Sequence, residues 1–247
     1  DTAYGIRNPA GLYEDFETTN DVITLFGRID WNINEHHRLA VRNNFANYNN
    51  LNETRAATVQ GGLSQTEAFK NRSNSLVAEL NSAFGSRVSN VLRVQGSIEH
   101  RPRIGSELRP GLSVTLTPNA DVARFGDAGV AFSNLLDENK IQVVNNTSFS
   151  LGDHDLKIGT NNTFTSIFNR FWNGGNGVYT FQTIDDFEAR RPARYTRNLR
   201  LSGEAPVAEF NAQEYSVYAQ DDWQLTRQLL LQAGIRYDVQ RYGDRPG

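Results

Sequence analysis

Cysteine and methionine are both absent from this 247-residue chain. Without cysteine there is no disulfide bond, no thiolate metal site and no cysteine nucleophile. Without methionine the first residue, Asp1, is not an initiator. We therefore expect the chain to be a processed product or a fragment of a longer protein.

Long apolar runs and an excess of charge are missing as well. No stretch approaches the ~20 apolar residues that a membrane helix needs, which excludes helical membrane spanning. With 25 basic and 28 acidic residues, the chain has no strongly basic surface, so we expect no nucleic-acid partner. The mean hydropathy of -0.55 resembles that of a soluble protein, but a membrane β-barrel is apolar only in every second residue and averages much the same.

The chain does contain eight segments in which apolar and polar residues alternate over a dozen or so positions, much longer than the ~5–6 residues of a globular strand. At ~3.3 Å per residue and a ~45° tilt, twelve residues climb roughly 28 Å, close to the thickness of a bilayer's hydrocarbon core. The predicted strands lie near 21–33, 38–49, 72–84, 87–100, 139–151, 155–172, 213–225 and 229–241.

Charges are almost confined to one face of these strands. An Arg or Lys facing lipid at mid-bilayer costs roughly 2–4 kcal/mol, so this segregation is what lipid contact requires. Asp221 is the clearest exception on the apolar face, near the end of its strand. Four amides also fall on that face, and the sequence pattern does not account for them: Asn43, Asn90, Asn145 and Asn162.

The connections alternate between two kinds. Tight turns at 34–37, 85–86, 152–155 and 226–228 are separated by long polar connections at about 50–71, 101–138 and 173–212. Outer-membrane barrels have this asymmetry, with short periplasmic turns and long extracellular loops. The prediction is an all-β fold: an antiparallel up-and-down transmembrane β-barrel segment that occupies residues 1–247 as one partial domain.

Inside the last long loop we expect a short strand at 178–181 and a helical turn from Asp185 to Pro192.

Catalytic chemistry finds little support in the residues. His36 and His37 share a tight turn, and the other two histidines lie at separate strand ends, so no metal-ligand spacing occurs. Neighbouring carboxylates on a strand, as at Asp221 and Asp222, point to opposite faces and cannot converge on one substrate. The sequence predicts no enzyme, cofactor or metal site.

Three groups of residues remain as candidates for contacts. Aromatic residues of the strands form an interfacial girdle or, less favoured, ordinary cross-strand packing: Trp31, Tyr215, Trp223 and Tyr237. Inward charges solvate a lumen or, less favoured, contact a plug or a passing ligand: Arg42, Glu79, Arg93 and Arg236. Ligand recognition, if it occurs, belongs to the long loops, with four candidates: Phe187, Arg190, Arg191 and Tyr195.

Several hairpins resemble one family. The stretch YSVYAQDDWQLTRQLLLQAGIRYD at 215–238 resembles the recurring hairpin of TonB-dependent receptor barrels, and FSLGDHDLKIGTNNTF at 149–164 is similar to a second one. DDFEARRPARYTR at 185–197 and RIDWNINEHHRLAVRNNF at 28–45 resemble the Oar-like branch.

The resemblance implies a 22-stranded barrel in the outer membrane of a Gram-negative bacterium. It also implies an N-terminal plug that engages TonB, and import of a ligand whose identity the sequence does not reveal. About eight strands of such a barrel are present here, whereas the plug and the TonB box are not. Two alternatives stay open: a complete small outer-membrane barrel with a structural or adhesive role, and a soluble secreted β-protein that binds glycans or surfaces.

Overall fold

An eight-stranded antiparallel sheet dominates the structure, a computed structural model that describes residues 17–52, 59–106, 109–118, 121–127, 129, 132–201 and 206–243. The long strands are β1 (Asn20–Asn32), β2 (His37–Asn52), β4 (Glu67–Phe84), β5 (Val88–Gly105), β8 (Asn134–Leu151), β9 (His154–Phe171), β12 (Val207–Thr226) and β13 (Leu229–Tyr242). They follow one another in the sheet in this order. The up-and-down antiparallel fold predicted from the sequence is confirmed.

Smaller elements lie in the long connections. They are β3 (Val59–Gly61), a 3-10 turn (Leu63–Gln65), β6 (Gly111–Thr115), β7 (Val122–Phe125), β10 (Val178–Phe181), α1 (Ile184–Glu188) and β11 (Arg194–Thr196). The short strand at 178–181 is therefore present as expected. The helical turn begins near Asp185 as expected, but it ends at Glu188 rather than at Pro192. No helix in the described part of the chain is long and apolar enough to cross a membrane.

The long strands extend further than the sequence pattern predicts, and they do so on the loop side. β4 begins at Glu67 rather than near 72, β5 ends at Gly105 rather than near 100, and β12 begins at Val207 rather than near 213. Apolar alternation stops where lipid contact is no longer required, but backbone groups still pair with their neighbours beyond that point. An 18-residue strand at ~3.3 Å per residue and ~45° tilt rises about 42 Å, so it projects beyond the hydrocarbon core.

The tight turns are built from local signals. Gly85 and Gly152 adopt φ values of 71° and 66°, a left-handed conformation that glycine reaches without steric cost. In the first turn the Asn34 side-chain oxygen accepts hydrogen bonds from the backbone N–H groups of His36 and His37, at 2.8 and 2.9 Å. All four short turns join strands at one end of the sheet, and the three long connections join them at the other.

The register across the sheet gives each face one character over all eight strands. Residues paired directly between antiparallel strands point to the same side. One complete row on the apolar face reads Ile29, Val41, Ala78, Val94, Val143, Asn162, Tyr215 and Val239. The adjacent row on the other face reads Arg28, Arg42, Val77, Gln95, Gln142, Thr163, Glu214 and Gln240. We call these the apolar face and the polar face.

The unexplained amides on the apolar face are hydrogen-bonded along that face. Asn43 donates to Asn74 Oδ1 at 2.6 Å. Asn90 donates to Asn145 Oδ1 at 3.1 Å and to Thr147 Oγ1 at 2.8 Å. Because a polar group in hydrocarbon is costly only when it lacks a partner, these amides are compatible with lipid contact.

Asp221 is partnered in the same way. Its Oδ2 lies 2.7 Å from Nδ1 of His154, and the His154 ring stacks on Trp223 with the ring centroids 5.0 Å apart. The preceding charge on the apolar face of β12 is Glu209, twelve positions away. At ~3.3 Å per residue and ~45° tilt the two carboxylates are about 28 Å apart along the membrane normal, which matches the hydrocarbon core between them.

We expect an arginine to be tolerated on one face and rejected on the other at the same depth. Val143 and Gln142 are neighbours on β8 but lie on the apolar and the polar face. Val143→Arg in the intact protein should cost roughly 2–4 kcal/mol of membrane-inserted stability and should lower the folded fraction, measured by heat-modifiable electrophoretic mobility of outer-membrane preparations. Gln142→Arg is the matched control. Equal loss of folded protein in both variants would contradict the assignment of the faces.

Candidate functional site

The three long connections meet in a second, five-stranded sheet, which we call the loop sheet. Its strand order is β11-β10-β6-β7-β3, with parallel pairs between β10 and β6 and between β3 and β7. The connection after β2 provides β3, the one after β5 provides β6 and β7, and the one after β9 provides β10 and β11. The loops are therefore joined to one another through backbone hydrogen bonds.

One side of the loop sheet carries a compact apolar core. The register places Leu112 beside Phe125 and Tyr179, and Val114 beside Ala123 and Phe181. Phe181 and Ala123 are fully buried. The strands alternate strictly, so their other side chains point away from this core.

The helical turn α1 covers this core. Its N-cap is Thr183, whose hydroxyl oxygen accepts a hydrogen bond from the Asp186 backbone N–H at 3.0 Å and whose hydroxyl donates to Asp186 Oδ2 at 2.8 Å. The first of these hydrogen bonds pairs a backbone N–H group that the start of a helix otherwise leaves unpaired. The chain then turns sharply at Arg190, which has a φ of 57°.

The four predicted ligand residues lie in or beside α1 and β11, but their environments differ. Phe187 is half-buried, with its ring 5.3 Å from that of Phe181, edge to face, so it packs against the core. Arg191 lies 3.3 Å from Asp186 Oδ1 and is mostly exposed. Arg190 is exposed. Tyr195 packs on Tyr179 at 4.4 Å yet stays 45% exposed. A ligand role for the four stays a prediction, and packing makes Phe187 the least accessible.

A buried carboxylate, which the sequence analysis did not identify, joins two of the long loops. Asp127 is 4% exposed. Its Oδ1 accepts from the Gly129 backbone N–H at 3.0 Å and its Oδ2 accepts from Asn176 Nδ2 at 3.1 Å. Burial raises the pKa of Asp127, and the two hydrogen bonds partly oppose that rise. No residue spacing signals this contact, because Asp127 and Asn176 belong to different loops.

The four charged residues predicted to face a lumen share the polar face of the large sheet. Arg42 lies opposite Arg28, and Glu79 lies opposite Arg93. Arg236 donates to Asp238 and to Ser216 Oγ, each at 3.0 Å. The polar face also forms a hollow, as a sheet curved around a lumen does, lined among others by Phe26, Asn44, Ser73, Ser97, Glu99 and Lys140. That these residues face a lumen remains a prediction.

The contacts of one aromatic side chain on the polar face link four neighbouring strands, β8, β9, β12 and β13. The Tyr218 hydroxyl donates to Asn146 Oδ1, and its ring lies over Gly159, where an added Cβ would clash with both side chains. The Arg236 guanidinium lies 5.8 Å from the centre of the Tyr218 ring. Only glycine leaves room for the ring at this position.

The four predicted girdle aromatics lie on the apolar face at different heights. Trp31 and Trp223 are near the tight turns. Tyr215 lies midway along β12 between Glu209 and Asp221, six positions from each. Tyr237 is paired with Val217, two positions after Tyr215 on β12, so it lies at nearly the same height. The girdle role stays a prediction for all four, and the register supports it better for the tryptophans than for the tyrosines.

Across the described residues, no group of three or more His, Asp or Glu side chains is placed to hold a metal ion. The arrangement offers instead a wide polar wall and a folded cap made of loops.

A family model described as outer membrane beta barrel domain matches residues 7–243. No curated protein matches the sequence. The chain is nevertheless similar in fold to solved outer-membrane proteins.

Three of these structures come from Escherichia coli and P. aeruginosa. The outer membrane transporter YddB from Escherichia coli has a TM-score of 0.59 at 13% identity, over 90% of this chain and 28% of that one. FpvA of P. aeruginosa, bound to pyoverdines, has a TM-score of 0.58 at 13% identity, over 91% and 31%. The ferric-catecholate import receptor Fiu from E. coli K12 has a TM-score of 0.57 at 13% identity, over 94% and 39%. The chain thus spans about a third of each of these proteins.

We expect the loop sheet to lose stability as the pH rises, because of Asp127. A carboxyl whose folded pKa is raised is protonated more readily in the folded state than in the unfolded state. Its contribution is therefore complete at low pH and is lost as the pH climbs from the ordinary aspartate value of 3.8 through the raised pKa. Amide hydrogen exchange at Gly129, followed from pH 4 to 7 and corrected for intrinsic exchange rates, should show a falling opening free energy.

The stability of Asp127→Asn should depend much less on pH, since an amide does not titrate between pH 4 and 7. Asp121→Asn, a half-buried loop acid that accepts from the Thr117 hydroxyl at 2.8 Å, is the control and should keep the parent pH dependence. An unchanged pH profile in Asp127→Asn would show that this carboxyl is not the group responsible.

Proposed function

We propose that this chain forms the wall and part of the extracellular cap of a TonB-dependent receptor, which imports a ligand across the outer membrane. The proposal starts from the family, since the chain belongs to the outer membrane beta barrel domain family. Its location is the outer membrane of a Gram-negative bacterium, and its fold is that of outer-membrane transporters. TonB coupling, the plug, a total of 22 strands and the Oar-like branch belong to the proposal.

One observation carries this proposal: the open eight-stranded sheet has every tight turn at one end and every long loop at the other. In the described residues β1 and β13 do not pair with each other, so the sheet does not close on itself. Lipid cannot satisfy the backbone groups of an open edge. Further strands that pair with β1 and β13 would complete a wider barrel.

The polar face supports transport better than a structural role. A closed eight-stranded barrel has an interior just wide enough for its own side chains, whereas this sheet presents a broad, hydrated wall with Arg42, Glu79, Arg93 and Arg236 on it. The loop sheet adds a folded surface above that wall. The folded loops are compatible with the alternative of a complete small barrel with an adhesive role, but the open sheet is not. The secreted soluble alternative is at odds with the outer-membrane location.

The ligand remains to be identified, and uptake is the measurement that identifies it. A deletion strain complemented with the intact gene should take up one member of a labelled panel of ferric catecholates, ferric hydroxamates, oligosaccharides and short peptides. Uptake should stop in a strain that lacks TonB or after a protonophore is added. Uptake that persists without TonB would contradict the proposal, and so would an intact gene that adds no strands beyond β1 and β13.

In the same assay Arg190→Ala, Arg191→Ala and Tyr195→Ala should reduce uptake of that panel member several-fold, because the three side chains are exposed on the loop cap. Arg38→Gln is the matched control. It removes a positive charge of similar exposure at the turn end of the sheet, where Arg38 pairs with Asp30 at 2.9 Å. An equal reduction in the control would indicate a general loss of folded protein rather than loss of a ligand contact.

A further inference from the structure

The loop sheet has a second face, opposite its apolar core, and one row of residues on it is entirely polar. The register defines a continuous row across four strands: Arg194 pairs with Thr180, Thr180 with Ser113, and Ser113 with Arg124. The two guanidinium groups are therefore at the ends and the two hydroxyls between them. We call these four residues the hydroxyl row.

The side on which the row lies follows from the core. The alternate residues of the same strands, Tyr195, Tyr179, Leu112 and Phe125, are paired with one another on the core side, and α1 covers that side through Phe187. Arg124 and Arg194 are exposed, and Ser113 and Thr180 are half-buried. The hydroxyl row thus faces away from α1 and the core.

The face is positively charged. The five strands of the loop sheet contain no Asp or Glu. Their two charged residues are Arg124 and Arg194, and both lie on the side opposite the core. Neither Arg124 nor Arg194 forms an ion pair with a described residue. The two acids that flank β7 are engaged elsewhere, since Asp121 accepts from Thr117 and Asp127 is buried with Gly129 and Asn176.

One end of the face is closed by the chain itself. At Gly111, two positions before Ser113, an added Cβ would lie 3.0 Å from the Asp127 carbonyl oxygen and 3.2 Å from Val178 Cγ2. The backbone around Asp127 therefore passes over this part of the sheet. A bound molecule is directed along the hydroxyl row, across the strands.

The length of the row favours an elongated ligand. Three inter-strand steps of ~4.8 Å put the Cα atoms of Arg124 and Arg194 roughly 14 Å apart. A single phosphate or carboxylate contacts only part of a row of this length. An elongated ligand with acidic groups along its length can meet both arginines at once, and the Ser and Thr hydroxyls between the arginines both donate and accept, as sugar hydroxyls require. Arginine binds carboxylates through two parallel hydrogen bonds.

From this arrangement we infer that the hydroxyl row is a binding site for a short acidic oligosaccharide that lies across β11, β10, β6 and β7. The inference rests on the proposed import function only in placing the loop sheet outside the cell. Binding needs neither TonB nor the plug.

The test is calorimetric titration of the intact purified protein in nanodiscs with tetragalacturonate and, as the matched neutral ligand, its methyl ester. Tetragalacturonate should bind, more weakly as salt is added, and the ester should bind at least tenfold more weakly. Arg124→Gln and Arg194→Gln should each weaken binding roughly tenfold, as loss of a charge-assisted hydrogen bond does. Thr180→Val should weaken it less, and Arg38→Gln should leave it unchanged.

The inference would be overturned by no binding of tetragalacturonate, by equal binding of the methyl ester, or by equal weakening in Arg38→Gln. Equal binding of tetraglutamate would indicate a peptide site and would overturn it too. Competition by inorganic phosphate at similar concentration would show a site for a single anion and would also overturn it. Heat-modifiable mobility checks that each variant is folded. If a Gln variant does not fold, Arg124→Lys and Arg194→Lys keep the charge and should weaken binding partially.

The two proposals fail separately. TonB-dependent uptake of another ligand without tetragalacturonate binding would sink the hydroxyl-row inference alone. Binding of tetragalacturonate to a protein that supports no TonB-dependent uptake would sink the import function alone.

Discussion

The hydrogen-bonding demand of the backbone in hydrocarbon governs the rest of this structure. Because lipid offers no partner to an N–H or C=O group, every residue of the membrane segment must pair across strands. The long antiparallel ladders from β1 to β13 meet that demand, and in doing so they lock side-chain direction. The row from Ile29 to Val239 is uncharged, while the row beside it holds Arg28, Arg42 and Glu214. A shift of one residue between any two strands would bring these charges into lipid.

The same demand explains why polar groups persist on the apolar face and why the apolar core lies elsewhere. Asn90 and Asn145 bond to each other, and Asp221 bonds to His154, so none of them enters lipid alone. Burying an apolar side chain inside the membrane releases no water, so the large sheet gains little from a packed core. Outside the membrane water is again the solvent, and there the loops fold around Phe181 and its neighbours.

How far the sequence predicts this fold depends on the length of each pattern. The eight long strands and the alternation of turns and loops were predictable because a dozen alternating residues or a Gly at a turn is a local signal. The strand at Val178–Phe181 and the capped turn after Thr183 were predictable for the same reason. The joining of the loops was not, since β3, β6, β7 and β11 have only three to five residues. The pairs that join different loops link residues far apart in the sequence, such as Val59 with Val122 and Gly111 with Val178. Phe187 therefore resembled a ligand contact in the sequence, whereas its ring packs on Phe181.

By itself the sequence determined which residues face lipid and at which end the loops lie, because both follow from a period of two and from residues adjacent in the chain. Only the tertiary structure decided that Arg124 and Arg194 share a face, that Asp127 reaches Asn176, and that Tyr218 covers Gly159. Each of these contacts joins segments whose spacing carries no periodic signal. They exist because backbone pairing between strands brings Arg124 and Arg194, and likewise Tyr218 and Gly159, to one side of a sheet, and brings the loops of Asp127 and Asn176 together beside it.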